Sequence, residues 1–495
     1  EQGWRSVLGR AIYKYKNKYI LNFTMRADEV AHKFSEKERR GYFPSMSAAW
    51  KISEEGFLKG SSAVDLLKLR ASYSVAGSIP GADNEWSQNW RFLTGYQIGG
   101  GTYLIDDGSG PTIQHLGIPN EDFTWRENRI SNIGLDGSFW KGLLGFELDV
   151  FYRQQASVFE SNTSAVPYTF SYILPLLNSR EVSNRGFDIM LTHKNRINDD
   201  FSYNVNAMFS WNRQRVEKTL TDQLIDINDI DPADFASDDD YQAAIDEANQ
   251  FNFINRTEGQ WTNRYFGYVS DGLFQSQDQI DNHPVDQDQN GNTSLLPGDI
   301  IYKDLDGDGV ITSLDQDVIG FGGTANINFG LDLGFTYKAF SFSALFQGAA
   351  NVNKNITGAA RFPFMNGQSV PYDYQLKHRF VYDADLDANT NPDATMPMVS
   401  ATGGLENNLK NSDYWLLDSS FVRLKALNLT YSLPNVILEK IGCSRLDIIA
   451  SGTNLVTWSK MGTFKHTFDP ESNFNQNGRQ YPTMKTYSLG VNIAF

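Results

Sequence analysis

The sequence lacks several features on which soluble enzymes and secreted domains rely. It contains a single cysteine, Cys443, so no disulfide can form within the chain. It has no run of about 18 apolar residues, which argues against a membrane-spanning helix. Basic residues are also in deficit, with 43 Lys and Arg against 59 Asp and Glu. The resulting net charge of -16 argues against a nucleic-acid partner.

Motifs of common catalytic sites are missing as well. The sequence contains no HExxH, GxSxG, CxxC or P-loop pattern. An enzyme would need a Ser/His pair that converges in space, which remains the formal alternative. We therefore expect a protein that is not an enzyme. The histidines are scattered along the chain: His32, His115, His193, His283, His378 and His466.

The sequence does contain a strict alternation of apolar and polar residues, which is most regular over residues 325–350. Every second residue is apolar from Ile327 to Tyr337, and the alternation resumes after a tight turn at Lys338. A period of two predicts a long β-hairpin with one apolar and one polar face. Such a hairpin suits either a soluble sandwich with a buried apolar face or an outer-membrane barrel whose apolar face contacts lipid.

The same alternation recurs along the whole chain and predicts about thirteen strands with no helix-rich domain. Aromatic residues make up 13% of the sequence, which suits long strands with aromatic girdles. The predicted strands are 7–15, 19–28, 43–52, 67–74, 129–139, 146–153, 187–193, 201–212, 327–337, 340–347, 421–431, 445–454 and 486–495.

Connection lengths distinguish the two folds. Short links at 16–18, 53–65, 141–145, 196–200, 338–339 and 434–444 alternate with long ones at 29–42, 76–127, 155–183, 213–323, 351–412 and 455–485. A sandwich has no reason to keep this alternation, whereas an outer-membrane barrel has short periplasmic turns and long extracellular loops. We therefore predict an all-β fold, a transmembrane antiparallel β-barrel. Charged residues on the polar face suit a wet interior: Arg26, Arg70, Glu147, Asp149 and Asp332.

The strand count and the chain ends add two expectations. Thirteen is odd, whereas bacterial single-chain barrels have an even number of strands, so we expect one portion of a wider barrel. The strand-like pattern starts soon after Trp4 without a leader sequence, which suggests an internal piece of a longer polypeptide. If short links are periplasmic, Phe495 lies in the periplasm. Residues 213–323 then form an extracellular excursion on the same side as 76–127 and 351–412.

Eight stretches of the sequence carry distinctive motifs. They are GYFPSMSAAWKIS at 41–53, LKLRASYS at 67–74, NRGFDIML at 184–191, DGLFQS at 271–276, GDIIYKDLDGDGVITSLDQDVIG at 298–320, SFVRLKALNLTYSLP at 420–434, SGTNLVTW at 451–458 and the terminal YSLGVNIAF. Together they resemble the SusC-like family of TonB-dependent outer-membrane transporters. Their number and order make the resemblance specific, and it extends over nearly the whole chain.

The resemblance implies a barrel of about 22 strands, of which this chain would supply roughly the last thirteen. The plug domain and the segment that contacts the TonB complex would be absent from this chain. The resemblance also implies an outer-membrane location in a Gram-negative, Bacteroidetes-like cell, next to outer-membrane lipid or lipopolysaccharide. The implied function is import of a large nutrient, chiefly a glycan oligosaccharide, under a SusD-like lipoprotein lid. An oligopeptide importer of the same family and an adhesive or structural barrel are the alternatives.

An acidic loop at 304–315 has the spacing of a Ca²⁺-binding loop. Gly309 provides the sharp turn at position 6, and position 12 is Asp315 rather than the usual glutamate. The shorter side chain makes bidentate ligation harder, and a polar turn without an ion is the alternative. We predict Ca²⁺ at the ligand positions of this loop: Asp304, Asp306, Asp308, Val310, Thr312 and Asp315.

An upstream copy of the loop starts at Asp286, with Asp288, Asn290 and Gly291 in register. It carries Pro297 at position 12, where a carboxylate is needed, so a polar loop is the simpler interpretation. The acidic segment 236–250 predicts a short surface helix with a solvated face.

Aromatic residues in the long loops suit either stacking on sugar rings or packing of the loops themselves. Composition does not separate the two roles, so no substrate-binding residue is assigned. The residues are Trp86, Trp90, Tyr96, Tyr103, Tyr168, Tyr172, Tyr372 and Tyr374.

Overall fold

The computed structural model describes residues 3–79, 92–105, 108–115, 117–161, 174–175, 177–364, 370–399, 406–472, 481 and 483–495. Its strands are β1 (Trp4–Tyr15), β2 (Tyr19–Val30), β3 (Arg40–Lys51), β4 (Val64–Ser78), β5 (Tyr96–Ile105), β6 (Gly108–His115), β7 (Arg126–Phe139), β8 (Leu144–Glu160), β9 (Leu177–Arg196), β10 (Phe201–Lys218), β11 (Arg264–Tyr268), β12 (Ser270–Leu273), β13 (Ile300–Tyr302), β14 (Gln316–Phe321), β15 (Ile327–Tyr337), β16 (Phe340–Ala350), β17 (Asn353–Asn355), β18 (Tyr382–Asp383), β19 (Ala388–Asn389), β20 (Leu416–Asp418), β21 (Phe421–Ser432), β22 (Arg445–Ser459) and β23 (Thr486–Ala494).

The helices are few and short apart from the first. They are α1 (Asp238–Asn255), α2 (Gln277–Asp281), α3 (Asp373–His378), α4 (Glu406–Leu409) and α5 (Asn435–Ile441). Across the described ranges, no helix has the length and apolar character needed to cross a bilayer.

Thirteen strands form one antiparallel sheet in the order β1-β2-β3-β4-β7-β8-β9-β10-β15-β16-β21-β22-β23. Each coincides with a predicted strand, so the predicted strand number and fold class are confirmed. β9 and β10 are longer than predicted, with 20 and 18 residues. Most of their additional residues lie toward the long connections, where backbone pairing continues after the apolar alternation has stopped.

The ends of the sheet are β1 and β23. Every residue of both strands is exposed. β23 pairs with β22 from Arg445↔Ala494 to Thr453↔Thr486. This order suits one portion of a wider barrel, because a closed barrel leaves no strand with an unpaired edge.

The chain divides into two compact units. The first comprises Glu1–Lys194, Ser210–Leu224 and Asn255–Thr262, and the second comprises Asn195–Phe209, Ile225–Ile254 and Asn263–Phe495. In the first unit, a buried cluster lies at one end of the strands: Val30, Phe34, Phe43, Phe123 and Trp125. In the second unit, the largest buried cluster includes Ile300, Tyr302, Ile311, Phe362, Tyr374 and Trp415.

One face of the sheet in the first unit is apolar and exposed. Paired residues across six strands trace this face: Leu21, Ala48, Ala71, Ile133, Val150 and Phe187. Leu21, Ile133 and Val150 are 53%, 61% and 54% exposed. A continuous apolar face of this kind is suited to contact with lipid.

The other face of the same strands carries a charged network. Arg70 donates to Asp149 from Nη1 and Nη2 at 2.7 and 2.6 Å, and to Asp136 from Nε at 2.8 Å. Lys68 donates to Asp136 at 2.6 Å. A Cβ at Gly134 would lie 2.5 Å from Cζ of Arg70, so glycine leaves room for the guanidinium. On the polar face, the two basic side chains therefore balance the charges of the two aspartates.

The excursion between β10 and β15 builds its own small sheets. β11 pairs with β14, and β12 pairs with β13. Within the fully described stretch 219–323, no strand joins the thirteen-stranded sheet. The acidic segment predicted as a short helix forms α1, which continues to Asn255.

Candidate functional site

The acidic loop lies between β13 and β14 in the second unit. Its arrangement brings together carboxylate oxygens of Asp304, Asp306 and Asp315, all within 4.8 Å of one another. Among the described residues, this is the one group of three or more His, Cys, Asp or Glu side chains with such an approach. The sequence prediction located it, because the template spacing places these three residues at positions 1, 3 and 12.

Backbone amides hold two of these carboxylates in place. Asp315 is fully buried, and its oxygens accept from the amides of Leu305 at 2.8 Å and Thr312 at 2.7 Å. Asp304 accepts from the amides of Gly307 at 2.6 Å and Gly309 at 2.8 Å. The loop is therefore fixed around its acidic side chains by its own main chain.

The remaining predicted ligands have other contacts. Asp308 is outside the group of three, and its Oδ1 accepts from the Val310 amide at 2.7 Å. Thr312 Oγ1 accepts from the Leu314 amide at 3.1 Å. Val310 pairs with Asp286 in a parallel β-bridge. The structure thus assembles three of the four predicted carboxylates and directs Asp308 toward the backbone.

Electrostatics in the loop favour a cation. The pKa of Asp306 is raised, first by burial and then by the neighbouring charges of Asp315, Asp308 and Asp304. A hydrogen bond from the Asp308 amide opposes this rise but does not cancel it. Carboxylates that repel one another in this way are stabilised when a positive ion lies among them. Hard oxygen donors at this spacing fit Ca²⁺ by donor type. When bound, such an ion would offset part of the loop's negative charge and crosslink its two ends.

The upstream acidic loop satisfies its carboxylates internally. Asp288 accepts from the amides of Asn290, Asn292 and Ser294 at 2.9, 2.8 and 2.7 Å. Burial raises the pKa of Asp288, but these bonds and the Ser294 hydroxyl outweigh it and lower the pKa to about 2. The two loops are joined, because the Ile311 amide donates to the Asp286 carbonyl at 2.9 Å.

A buried polar cluster fixes the strand that leads into the acidic loop. Asp299 is 3% exposed and accepts from the Leu296 amide at 2.9 Å and from Asn408 Nδ2 at 2.6 Å. Asn408 Oδ1 in turn accepts from the Ile300 amide at 2.9 Å. Burial raises the pKa of Asp299 to about 6 despite these hydrogen bonds. The carboxyl group therefore titrates in a buried site next to β13.

Two cations pack against the aromatic residues of the same cluster. The Arg361 guanidinium lies 4.7 Å from the ring centroid of Trp415, and burial lowers its pKa to about 10. The Lys410 ammonium lies 5.3 Å from the ring of Tyr268 and 5.4 Å from that of Tyr302. Burial also lowers the pKa of Lys410. Lys410 thus joins the excursion to the connection between β16 and β21 through cation–π contacts, and neither cation has an ion pair within the part of the chain that the structure describes.

The loop aromatics separate into three groups. Tyr374 belongs to the buried core, where it packs against Phe464 at 4.9 Å and stacks with Tyr372 at 5.7 Å. Packing therefore explains these two tyrosines. Tyr96 is 71% exposed, in the hairpin of β5 and β6. The other predicted positions lie outside the described residues or have undescribed side chains: Trp86, Trp90, Tyr103, Tyr168 and Tyr172.

The sequence did not reveal several long-range polar contacts. Arg423 on β21 reaches Asp469, 46 residues later. Arg185 and Arg213 lie over the ring of Trp261, at 4.7 and 4.3 Å from its centroid. Neither contact has a signature in spacing or composition, because each depends on which distant segments the fold brings together.

Comparison with known proteins gives consistent results. No family model matches the chain. The chain is 28% identical over 505 residues to TonB-dependent receptor P26 of Formosa agariphila, with 99% of this chain and 46% of that protein covered. It is 24% identical over 502 residues to TonB-dependent receptor SusC of Bacteroides thetaiotaomicron, with 99% and 43% covered. The chain thus spans somewhat under half the length of these relatives.

A solved structure shows the same fold. The chain aligns with the RagAB peptide transporter structure at a TM-score of 0.69 and 20% identity, covering 99% of this chain and 48% of that one. The curated relatives are receptors rather than enzymes, in agreement with the expectation from the sequence. Over nearly its whole length, the chain is therefore similar to TonB-dependent receptors of the SusC type, a class of outer-membrane β-barrel proteins.

Proposed function

We propose that this chain is the C-terminal portion of a SusC-type transporter that imports a large nutrient across the outer membrane. The observation that carries the proposal is the thirteen-stranded sheet, with an exposed apolar face and an opposite face neutralised by charged pairs. An apolar outer face suits lipid, and a polar inner face suits a water-filled passage. Similarity to TonB-dependent receptors supports energy coupling through the TonB complex and a SusD-like lipoprotein partner.

In the proposed orientation, the long connections are extracellular and the chain ends in the periplasm. The excursion that carries the acidic loop then lies at the cell surface, where a lipoprotein lid would dock. The alternation of short and long connections supports this orientation, because outer-membrane barrels have short turns on the periplasmic side.

A glycan oligosaccharide is the proposed cargo, and an oligopeptide is the second candidate. The resemblance of the sequence to the SusC-like family favours the glycan. The fold shared with the RagAB peptide transporter supports the peptide. No described side chain separates these two chemistries, so growth experiments must distinguish them.

The acidic loop is proposed as a structural Ca²⁺ site. Asp304, Asp306 and Asp315 would supply carboxylate oxygens, with the Val310 carbonyl, Thr312 and Asp308 as candidate additional ligands. The ion would fix the path between β13 and β14 and take no part in transport chemistry. Mutual repulsion of the three carboxylates supports this proposal.

Deletion of the encoding gene tests the transport function. We expect the deletion strain to lose growth on a class of oligosaccharides as sole carbon source, and to regain it with the intact gene. Growth on the constituent monosaccharide serves as the control. Loss of growth on peptides instead would establish the second candidate. Unchanged growth on both, with the protein in the outer membrane, would favour an adhesive or structural barrel.

A further inference from the structure

Three arginines lie close together in the half of β9 and β10 that faces the long connections. Arg185 belongs to β9, and Arg213 and Arg215 belong to β10. Three neighbouring arginines contrast with the acidic composition of the chain, whose net charge is -16. Among the described residues, no acidic side chain forms an ion pair with Arg185 or Arg213. The exposed guanidinium of Arg185 is therefore available to an external anion, and the half-buried Arg213 lies beside it.

Strand pairing places this cluster on the apolar, exposed face. Arg185 pairs directly with Tyr152, and two residues further along β9, Phe187 pairs with Val150. Directly paired residues share a face, so Arg185 continues the row of exposed apolar side chains. The ring of Phe187 lies 5.8 Å from that of Trp211, and alternation then places Arg213 on the same face as Trp211.

Trp261 organises the arginines. Cζ of Arg185 lies 4.7 Å from the ring centroid of Trp261, and Cζ of Arg213 lies 4.3 Å from it. Trp261 itself is held by a bridge to Arg215, whose Nε donates to the Gly259 carbonyl at 2.7 Å. Two guanidinium groups thus share one indole ring, which holds them in place before any ligand arrives.

One donor of the cluster has no hydrogen-bond partner. Nε of Arg213 is buried and has no hydrogen-bond partner. Glu217, further along β10, already accepts from the Ser183 hydroxyl at 2.5 Å. Guanidinium groups bind phosphate oxygens with paired, charge-assisted hydrogen bonds. A phosphate is therefore the anion that fits this cluster best.

We propose that Arg185 and Arg213, organised by Trp261, bind the phosphate of a phosphorylated glycolipid in the outer leaflet. The cluster lies about 7 Å beyond the Phe187 level along the strand, toward the long connections. In a membrane, aromatic side chains mark the interface, and basic side chains just beyond it meet lipid headgroups. The inference rests on the proposed outer-membrane function, which supplies the lipid and its orientation.

Lipid titration of the detergent-purified full-length protein tests the inference. Binding of bis-phosphorylated lipid A is compared with that of lipid A stripped of its phosphates. We expect the phosphorylated form to bind at least about tenfold more tightly. The Arg185→Gln/Arg213→Gln variant is expected to lose about tenfold or more in affinity for the phosphorylated form only. Arg185→Lys/Arg213→Lys should lose less, because charge remains while paired donation is lost.

The matched control is Arg196→Gln, at the opposite end of β9, where Arg196 pairs with Asp199 in a solvent-exposed turn. This variant should bind lipid A as the unmodified protein does. Equal binding by the double glutamine variant, or no preference for phosphorylated lipid, would overturn the inference. Displacement of the lipid by millimolar inorganic phosphate would also overturn it, because the site would then serve a soluble anion.

Two readouts keep this result separate from the proposed function. Heat-modifiable migration and outer-membrane fractionation of each variant show whether the protein is a folded outer-membrane barrel. A folded outer-membrane protein without phosphate preference refutes the lipid site alone, whereas absence from the outer membrane refutes the proposed function. If the double variant fails to fold, the single Arg185→Gln variant, at an exposed position, provides the same comparison.

Discussion

Arg423 and Asp469 form a buried ion pair. Nη2 of Arg423 donates to both carboxylate oxygens of Asp469 at 2.8 and 2.7 Å, and the arginine side chain is 1% exposed. Nη1 of the same arginine contacts Glu471. One side chain on β21 therefore anchors the connection that follows β22. Among its described residues, the other ion pairs of that connection, Lys425–Glu471 at 3.9 Å and Lys460–Asp418 at 3.6 Å, are longer and more exposed.

Asp469→Asn is expected to loosen this connection. Removing one partner of a buried pair leaves a buried charge partly uncompensated, which costs roughly 3 kcal/mol. The thermal midpoint in detergent should fall, and limited proteolysis should cleave after β22. The control is Lys460→Gln, whose exposed pair with Asp418 at 3.6 Å should contribute less than about 1 kcal/mol. Equal effects of the two substitutions would contradict the anchoring role.

The buried carboxyl of Asp299 predicts a pH-dependent local stability. Its pKa is raised from 3.8 to about 6, so the folded state favours the protonated form. The stabilising contribution is complete below the unfolded pKa near 4 and is lost as the pH rises through 6. This rise in the pKa of Asp299 corresponds to roughly 3 kcal/mol of stability.

Hydrogen exchange measures this effect at the amides of Leu296 and Ile300. After correction for intrinsic rates, their opening free energy should fall between pH 4 and 7. In Asp299→Asn, the same dependence should be much flatter, because the titrating group is gone. Opening that is independent of pH in the unmodified protein would disprove the assignment.

Calcium removal should destabilise the excursion. We expect EGTA to lower the thermal midpoint and added Ca²⁺ to restore it, with a stabilisation near 3 kcal/mol when the ion is about a hundredfold above its Kd. Asp306→Asn should remove most of this response and slightly raise stability without metal, because carboxylate repulsion is relieved. Asp317→Asn, just outside the template, is the control and should respond normally. A midpoint insensitive to both reagents would exclude the ion.

Gly186 is expected to be intolerant of a side chain. An added Cβ would collide with the carbonyl oxygen of Trp211, a backbone atom that cannot rotate away. Gly186→Ala should therefore spread the strands and destabilise the barrel by roughly 1–3 kcal/mol or prevent assembly. Gly9→Ala is the control, since its Cβ would meet nothing within 4 Å. Heat-modifiable migration in gels reports on assembly, and equal migration of both variants would refute the prediction.

The sequence alone determined the strands and their faces. Alternation with a period of two is a local property of each strand, so the thirteen strands of the sheet were readable without any tertiary information. The acidic loop was equally local. Asp304, Asp306 and Asp315 lie within one loop, and the first and last of them are only eleven positions apart in the sequence. Strand ends were less accurate, since pairing of polar residues extends β9 and β10 beyond the apolar pattern.

Only the tertiary structure decided the contacts between distant segments. Three of these contacts join residues that are far apart in the sequence. The separation is 109 residues for Asp299 and Asn408, 46 for Arg423 and Asp469, and 76 (261 minus 185) for Arg185 and Trp261. Burial and pairing of such groups depend on which loops meet, and no periodicity encodes that. Asp308 shows the same limit at short range. Its spacing matched the calcium template, but its hydrogen bond to the Val310 amide depends on the local backbone path.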